Sequence, residues 1–165
     1  DASGSVVCAC LEGNRPILVE VQALVAKTPY GMPRRTAVGF DYNRVTMLLA
    51  ILERRLGMDF GAYDAYVNVV GGMRVTEPAA DLAVAAALVS SYRNRPIPHG
   101  VLVMGEVGLT GEVRRIGSPE RRIKDAMNLG FKRFVLPMGK LSLDEPCNGV
   151  VQVKTLEEAL HKVFA

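Results

Sequence analysis

Cysteine and histidine are scarce in this sequence, which has three cysteines and two histidines among 165 residues. The odd number of cysteines and the long gap between Cys10 and Cys147 argue against a framework of disulfide bonds. A zinc site needs several ligands at close spacing, and neither His99 nor His161 lies near a cysteine in the sequence. We therefore expect buried thiols, a reducing cytoplasmic location, and no metal or other cofactor bound by this chain.

Long apolar runs and nucleotide-binding motifs are also missing from the sequence. No run reaches the roughly 18 residues of a membrane-spanning helix, and no signal-peptide pattern stands before the first predicted strand, so no membrane partner is expected. A Gly-x-x-x-x-Gly-Lys-Ser/Thr motif is absent, which excludes ATP binding of the P-loop kind. The first residue is Asp1 rather than methionine, and we interpret the chain as part of a longer protein or as a processed one.

Neither sign of charge dominates, since the chain has 20 Lys and Arg, 17 Asp and Glu, and a net charge of +3. Such a small excess is compatible with an acidic partner but does not require one, because basic residues also form ordinary solvated surfaces. Hydrophobic residues make up 49% of the chain. That fraction is enough to build one core at this length.

The periodicity of apolar residues predicts strands and helices that alternate after an opening hairpin. The predicted strands cover residues 6–10, 17–25, 66–70, 101–107, 112–116, 134–136 and 150–153. The predicted helices cover residues 41–56, 79–92 and 118–130, and a fourth begins at a capping box at Thr155. Asp41 and Ser118 are the other expected N-caps, and the helix 79–92 is apolar on all sides, which predicts burial. The pattern predicts one α/β domain over residues 1–165, a two-layer fold with helices packed on a mixed sheet.

Residues 66–165 resemble the proteolytic domain of the Lon proteases in three motifs. The nucleophile loop of Lon is Asp-Gly-Pro-Ser-Ala-Gly; residues 76–81 are Thr-Glu-Pro-Ala-Ala-Asp, so Ala79 stands where Lon has its serine. The Thr-Gly-Glu hairpin of Lon corresponds to Met-Gly-Glu at 104–106. The Ile-Gly-Gly-Leu-Lys-Glu-Lys motif corresponds to Ile-Gly-Ser-Pro-Glu-Arg-Arg at 116–122. Arg122 therefore stands where Lon has the lysine that acts as general base.

The two replacements remove the chemistry of a Ser-Lys dyad. Such a dyad needs a hydroxyl nucleophile and an amine that loses its proton near neutral pH. Ala79 has no hydroxyl, and Arg122 keeps its proton at any accessible pH. The resemblance thus implies a domain that is not an enzyme, with Ala79 and Arg122 as degenerate dyad positions.

Three segments in the first half of the chain resemble one particular family with a Lon-like domain. Residues 4–7 (Gly-Ser-Val-Val), 16–25 (Pro-Ile-Leu-Val-Glu-Val-Gln-Ala-Leu-Val) and 33–41 (Pro-Arg-Arg-Thr-Ala-Val-Gly-Phe-Asp) are similar to the Lon-like domain of the RadA family of bacterial repair proteins. The resemblance implies a ribosomal protein S5 domain 2-like fold and a ring, expected to be a hexamer. It also implies a role in recombination, in which the protein processes branched DNA together with a recombinase. The parent protein would be a DNA-dependent ATPase whose other domains bind ATP, magnesium and zinc.

Two groups of basic residues are candidates for contact with DNA. The first is the loop of residues 27–35, called the basic loop below, which contains Lys27, Arg34 and Arg35 and no acid. The second is the segment of residues 112–124, called the basic segment, with the candidates Arg114, Arg115 and Arg121. Aromatic residues do not interleave with the arginines, so we expect contact with phosphates rather than stacking on bases, and no dependence on DNA sequence. A solvated surface, or ion pairs across a subunit interface, would explain the same residues.

Three functions are therefore compared. The leading hypothesis is a non-catalytic module that supports a ring and contacts the DNA backbone during processing of branched recombination intermediates. A divergent peptidase that uses other residues is the second, and the missing serine and lysine argue against it. A pure oligomerisation module is the third, and the charge of the basic loop argues weakly against it.

Overall fold

The computed structural model describes residues 2–145 and 147–165. In these residues the main element is a seven-stranded mixed sheet. Its strands are β1 (Ser5–Glu12), β2 (Arg15–Lys27), β3 (Arg35–Val38), β4 (Tyr63–Val69), β5 (Val101–Val103), β8 (Arg133–Pro137) and β9 (Val150–Val153); β6 (Glu106–Val107) and β7 (Val113–Arg114) form a separate hairpin. The order in the large sheet is β3-β4-β2-β1-β5-β8-β9. β2 pairs antiparallel with β1 and β4, and the other neighbours are parallel. The predicted mixed α/β sheet is confirmed.

The predicted opening hairpin is also confirmed, with longer strands than the sequence pattern indicated. β1 and β2 pair without interruption from Ser5 opposite Gln22 to Glu12 opposite Arg15. Gly13 begins the two-residue turn with a φ of +63°. Tight hairpin turns require such a left-handed conformation, which glycine adopts without steric cost.

Among the described residues, four α-helices pack against the sheet: α1 (Tyr42–Leu56), α2 (Asp81–Arg93), α3 (Pro119–Asn128) and α4 (Leu156–Val163). The Asp41 carboxylate accepts a hydrogen bond from the Asn43 amide at 2.8 Å and so caps α1 as predicted. The Thr155 hydroxyl caps α4 by accepting from the Glu158 amide at 3.1 Å. In described residues, no helix has the length and apolar character needed to cross a membrane.

The prediction that the Ser118 side chain caps α3 is wrong. Ser118 does precede the helix, and Pro119 is its first residue. Its backbone, however, is left-handed (φ 53°, ψ 51°), and its hydroxyl makes no capping hydrogen bond. A side-chain cap normally acts from extended backbone, so here only the Ser118 carbonyl contributes, by accepting from the Arg122 amide at 3.3 Å.

Burial along the strands shows that the sheet is not covered equally. In β2, Val19, Val21 and Ala23 are buried, while the alternate residues Gln22 and Leu24 are exposed. One face of the sheet is thus open at β2, as expected of two layers. By contrast, every residue of β5 and residues 134–137 of β8 are buried, so both faces are covered there. α2 is buried throughout residues 81–90, as predicted.

Candidate functional site

Arg122 is a buried charge in the interior of the protein, with 1% of its surface exposed. Its Nε donates to the Gly117 carbonyl at 2.8 Å, and its Nη1 donates to the Ala9 carbonyl at 2.8 Å. The same Nη1 lies 2.6 Å from Glu77 Oε1, and Nη2 lies 3.1 Å from Glu77 Oε2. A guanidinium can be buried at tolerable cost only when it is paired and hydrogen-bonded in this way.

Glu77 connects this arginine to the start of the fold. Besides the two contacts with Arg122, Glu77 Oε1 accepts a hydrogen bond from the Leu11 amide at 2.7 Å. One carboxylate therefore ties α3 to β1 through the loop that precedes α2. Charge-assisted bonds of this fork geometry are stronger than neutral ones and fix both partners in one orientation.

Ala79 follows Glu77 by two residues, in a short 3-10 turn over Pro78–Ala80. It is buried, and its carbonyl accepts from the Gly105 amide at 2.8 Å. Cys8 Sγ is 3.8 Å from the same carbonyl. The fold thus gathers the three regions that resemble Lon motifs: the loop of residues 76–81, the turn at Gly105, and the start of α3.

Cys8 is a nucleophilic residue whose Sγ contacts this turn, so the protonation state of its thiol decides whether it could react there. The hydrogen-bonding contact with Cys10, whose Sγ is 3.8 Å away, and burial both raise the pKa of the Cys8 thiol. Because the thiolate is the reactive form, the burial and raised pKa of Cys8 disfavour a role as nucleophile near neutral pH. The prediction of buried thiols is confirmed for Cys8 and Cys10; Cys147 is free and partly exposed.

A second buried carboxylate, Asp81, supports the start of α2. It accepts from Arg44 Nε at 2.8 Å and from the Val107 amide at 3.1 Å, and it also contacts Arg44 Nη2. Burial raises the pKa of Asp81, while the hydrogen bonds from Arg44 and Val107 oppose that rise. Sequence reasoning missed this pair, although an aspartate at the head of an otherwise apolar helix was a signal that a cation should face it.

The basic loop is anchored at both ends by Asp64. The Asp64 carboxylate accepts from the Arg34 amide at 2.7 Å and from the Thr28 hydroxyl at 2.9 Å, and the Thr28 amide donates to the Ala62 carbonyl at 2.8 Å. The bonds from Arg34 and Thr28 lower the pKa of Asp64. The side chains of Lys27 and Arg34 are exposed, and neither makes an ion pair within the part of the chain that the structure describes.

Arg35 differs from the other two cations of the basic loop. Its guanidinium faces the fold, where Nη2 donates to the Phe60 carbonyl at 2.9 Å and Nη1 contacts the carbonyl of Tyr63. These bonds hold the start of β3 on the segment before β4. The guanidinium of Arg35 is therefore less available to a phosphate than the free side chains of Lys27 and Arg34.

The candidates of the basic segment are also unequal. Arg114 lies 2.9 Å from Glu112 and 3.6 Å from Glu106, so its charge is balanced by two carboxylates. Hydrogen bonds from Thr110, and then the bond from Arg114, lower the pKa of Glu112 to about 2. Arg121 Nη1 donates to the Asn14 carbonyl at 2.6 Å. Arg115 is exposed and, among described residues, makes no ion pair.

One aromatic residue of the basic loop was not considered in the expectation that base stacking plays no part, and that expectation stays a prediction. Tyr30 follows Lys27 and precedes Arg34 in the sequence, and 89% of its surface is exposed. An exposed aromatic residue thus lies between two exposed cations in the sequence of this loop. The expectation considered only aromatic residues between arginines, whereas Tyr30 lies between Lys27 and Arg34.

The architecture defines an α/β domain on a mixed sheet, and the family comparison identifies its class. A family described as "Subunit ChlI of Mg-chelatase" matches residues 21–140, and the chain belongs to this family. Within the described residues, no three His, Cys, Asp or Glu side chains are placed to hold a metal ion.

Several relatives carry a common name. A protein named DNA repair protein RadA from Pseudomonas aeruginosa is 51% identical over 162 residues, which cover 98% of this chain and 36% of the relative. Proteins of the same name from Bacillus subtilis and Listeria monocytogenes are 47% and 46% identical, over 96% and 99% of this chain and 35% and 36% of the relatives. The chain spans about a third of the length of these curated relatives. They confirm the similarity to RadA proteins; a Lon-like origin stays a prediction.

Proposed function

We propose that the chain is a non-catalytic, Lon-like module of a RadA-type DNA repair protein. In this proposal it supports a ring, expected to be a hexamer, and contacts the DNA backbone while branched recombination intermediates are processed. The relatives named DNA repair protein RadA support the repair role. ATP, magnesium and zinc would belong to other domains of a cytoplasmic parent ATPase, and a recombinase would be its partner.

The observation that carries the non-catalytic role is the buried pair of Arg122 and Glu77. In the resemblance to Lon, Arg122 stands at the lysine and Glu77 at the glycine of the nucleophile loop. These two departures from the Lon motifs meet in one ion pair, with Nη1 and Oε1 2.6 Å apart. A neutral amine is what a general base must supply, and a guanidinium held by a carboxylate never provides one. The replacements therefore suit a structural connection and not proton transfer.

Contact with DNA is supported by the free cations. Lys27, Arg34 and Arg115 are exposed and make no ion pair in the described residues, and Arg121 is exposed with one hydrogen bond to a carbonyl. Phosphates attract such side chains whatever the base sequence. A few contacts per subunit bind weakly, but a ring would repeat them and raise the affinity of the assembly.

A salt titration of binding to a labelled DNA duplex tests the DNA role, using fluorescence anisotropy. Lys27→Ala/Arg34→Ala should reduce both affinity and salt dependence. Lys132→Ala/Lys154→Ala is the matched control, because it removes the same charge beside β8 and β9, at the other end of the sheet order from β3. Equal losses in both variants would mean a response to net charge alone. Absence of binding by the unmodified chain to any DNA, duplex or single-stranded, would favour the oligomerisation module.

The ring is tested separately, by light scattering on the full-length parent with nucleotide and DNA present. The isolated domain is expected to assemble only weakly, because head-to-tail contacts in a ring can each be small. A parent that stays monomeric at every concentration contradicts this part of the proposal.

A further inference from the structure

The tip of the basic loop presents two large apolar side chains to solvent. Tyr30 is 89% exposed and Met32 is 88% exposed, more than the other large hydrophobic residues described as exposed, such as Leu109 at 71%. Neither side chain contributes to the core. A tyrosine ring left outside the fold is available to a ligand with a flat, polarisable face.

Hydrogen bonds to the rest of the fold hold both ends of the loop that presents the Tyr30 ring. Asp64 holds the Thr28 hydroxyl and the Arg34 amide, and the Arg35 guanidinium holds the carbonyls of Phe60 and Tyr63. Pro29 and Pro33 flank the tip and restrict the backbone on either side of Tyr30. Less conformational entropy is lost on binding when the loop ends are already held.

The charged residues near the tip of the basic loop indicate that its ligand is anionic. Lys27 and Arg34 are the charged residues of the segment 27–34, and both are cations. Neither side chain forms an ion pair in the described residues, although the Asp64 carboxylate at the base of the loop offsets part of the charge of Arg34. The ligand should therefore combine regularly spaced anions with flat faces. Unpaired DNA has both, since its phosphates follow the backbone while its bases are free to stack on aromatic side chains. A duplex buries its base faces and offers only the phosphates.

We propose that the basic loop binds single-stranded DNA, with Tyr30 stacked on an unpaired base. Lys27 and Arg34 pair with phosphates on either side, and Met32 packs beside the stacked base. This inference rests on the proposed DNA role and adds a preference for unpaired strands. Because every base has a flat face, the loop should not discriminate among sequences.

The test compares binding of this chain to a labelled thymidine 20-mer and to a duplex of the same length, by anisotropy at low salt. Tyr30→Ala should weaken single-strand binding by about fivefold or more, since one stacked base contributes on the order of 1–3 kcal/mol. Duplex binding should hardly change. Tyr30→Phe keeps the ring and should restore single-strand binding, and Tyr42→Ala, at a tyrosine that is 50% exposed on α1, should bind like the unmodified chain.

Tyrosine fluorescence gives an independent measurement, because the chain has five tyrosines and no tryptophan. Single strands should quench the emission of the unmodified chain, and Tyr30→Ala should lose most of that quenching. Duplex binding without single-strand binding, or single-strand binding that Tyr30→Ala leaves intact, overturns the inference while the proposed DNA role stands. Binding to neither DNA removes the proposed DNA role as well.

Discussion

Arg122 and Glu77 form a two-point ion pair between α3 and the loop before α2, with N–O distances of 2.6 and 3.1 Å. The arginine side chain is 1% exposed and the glutamate side chain 24% exposed. The pair is thus closed to solvent at the cation and open at one edge of the anion. Removing either partner leaves the other with an unbalanced charge and unsatisfied hydrogen-bonding atoms.

Arg122→Ala should therefore lower the free energy of unfolding by about 3 kcal/mol, the lower end for breaking a buried pair because Glu77 keeps some access to water. Urea unfolding followed by circular dichroism measures the loss. The double variant Glu77→Ala/Arg122→Ala should lose less than the two single losses added together, since neither charge is then left alone. A loss below about 1 kcal/mol for Arg122→Ala would show that the pair contributes little beyond an exposed one.

Ala79→Ser should not create a peptidase. Arg122, which stands at the position of the Lon general base, cannot accept the proton of the new hydroxyl at accessible pH. Release of label from unfolded fluorescent casein measures the activity, with the unmodified chain as the baseline. Turnover that appears in Ala79→Ser, persists through purification and disappears on further mutation of this chain would contradict the non-catalytic role.

Much of the fold follows from local patterns, and the exceptions have physical causes. The hairpin, the caps at Asp41 and Thr155 and the buried α2 are encoded by neighbouring residues. β3 was missed because Arg35–Val38 is short and lies at the sheet edge, and it is a strand only through pairing with β4. The predicted strand 101–107 is divided, since β5 joins the large sheet and β6 turns away to pair with β7.

The candidate site was predictable in its positions but not in its contacts. Motif comparison located Ala79 and Arg122, yet Glu77 and Arg122 are 45 residues apart and meet only through tertiary structure. The three cations of the basic loop look equivalent in the sequence. Only the fold separates Arg35, whose guanidinium binds carbonyls, from Lys27 and Arg34.

Acid should loosen the basic loop through Asp64. Hydrogen bonds from Arg34 and Thr28 lower the pKa of this carboxyl in the folded state. Its stabilising contribution is therefore complete above the unfolded pKa of about 3.9 and is lost as the pH falls through the lower folded value. The difference in unfolding free energy between the unmodified chain and Asp64→Asn should shrink between pH 6 and pH 3.

An NMR titration of the Asp64 carboxyl checks the cause of that effect directly. Thr28→Val is the matched variant, because it removes one of the two hydrogen bonds and should move the pKa of Asp64 back toward its ordinary value. If the stability difference does not change with pH, or if Thr28→Val does not change the pKa of Asp64, then Asp64 does not anchor the basic loop through these hydrogen bonds.

The neighbouring arginines of the basic loop should behave differently when each is replaced by alanine. Arg34→Ala removes an exposed cation and should leave stability within about 0.5 kcal/mol, while the salt slope of duplex binding should fall by about 0.9 if the side chain neutralises one phosphate. Arg35→Ala removes the donor to the carbonyls of Phe60 and Tyr63. It should lower the free energy of unfolding by about 1–3 kcal/mol, since part-buried acceptors lose their partner. The salt slope of duplex binding, measured on the folded protein, should be nearly unchanged.

Urea unfolding and the salt titration, run on both variants, separate the two roles. If Arg35→Ala flattens the slope as much as Arg34→Ala at full stability, then the guanidinium of Arg35 leaves its carbonyls to reach the DNA; if neither variant alters the slope, the basic loop does not contact duplex phosphates.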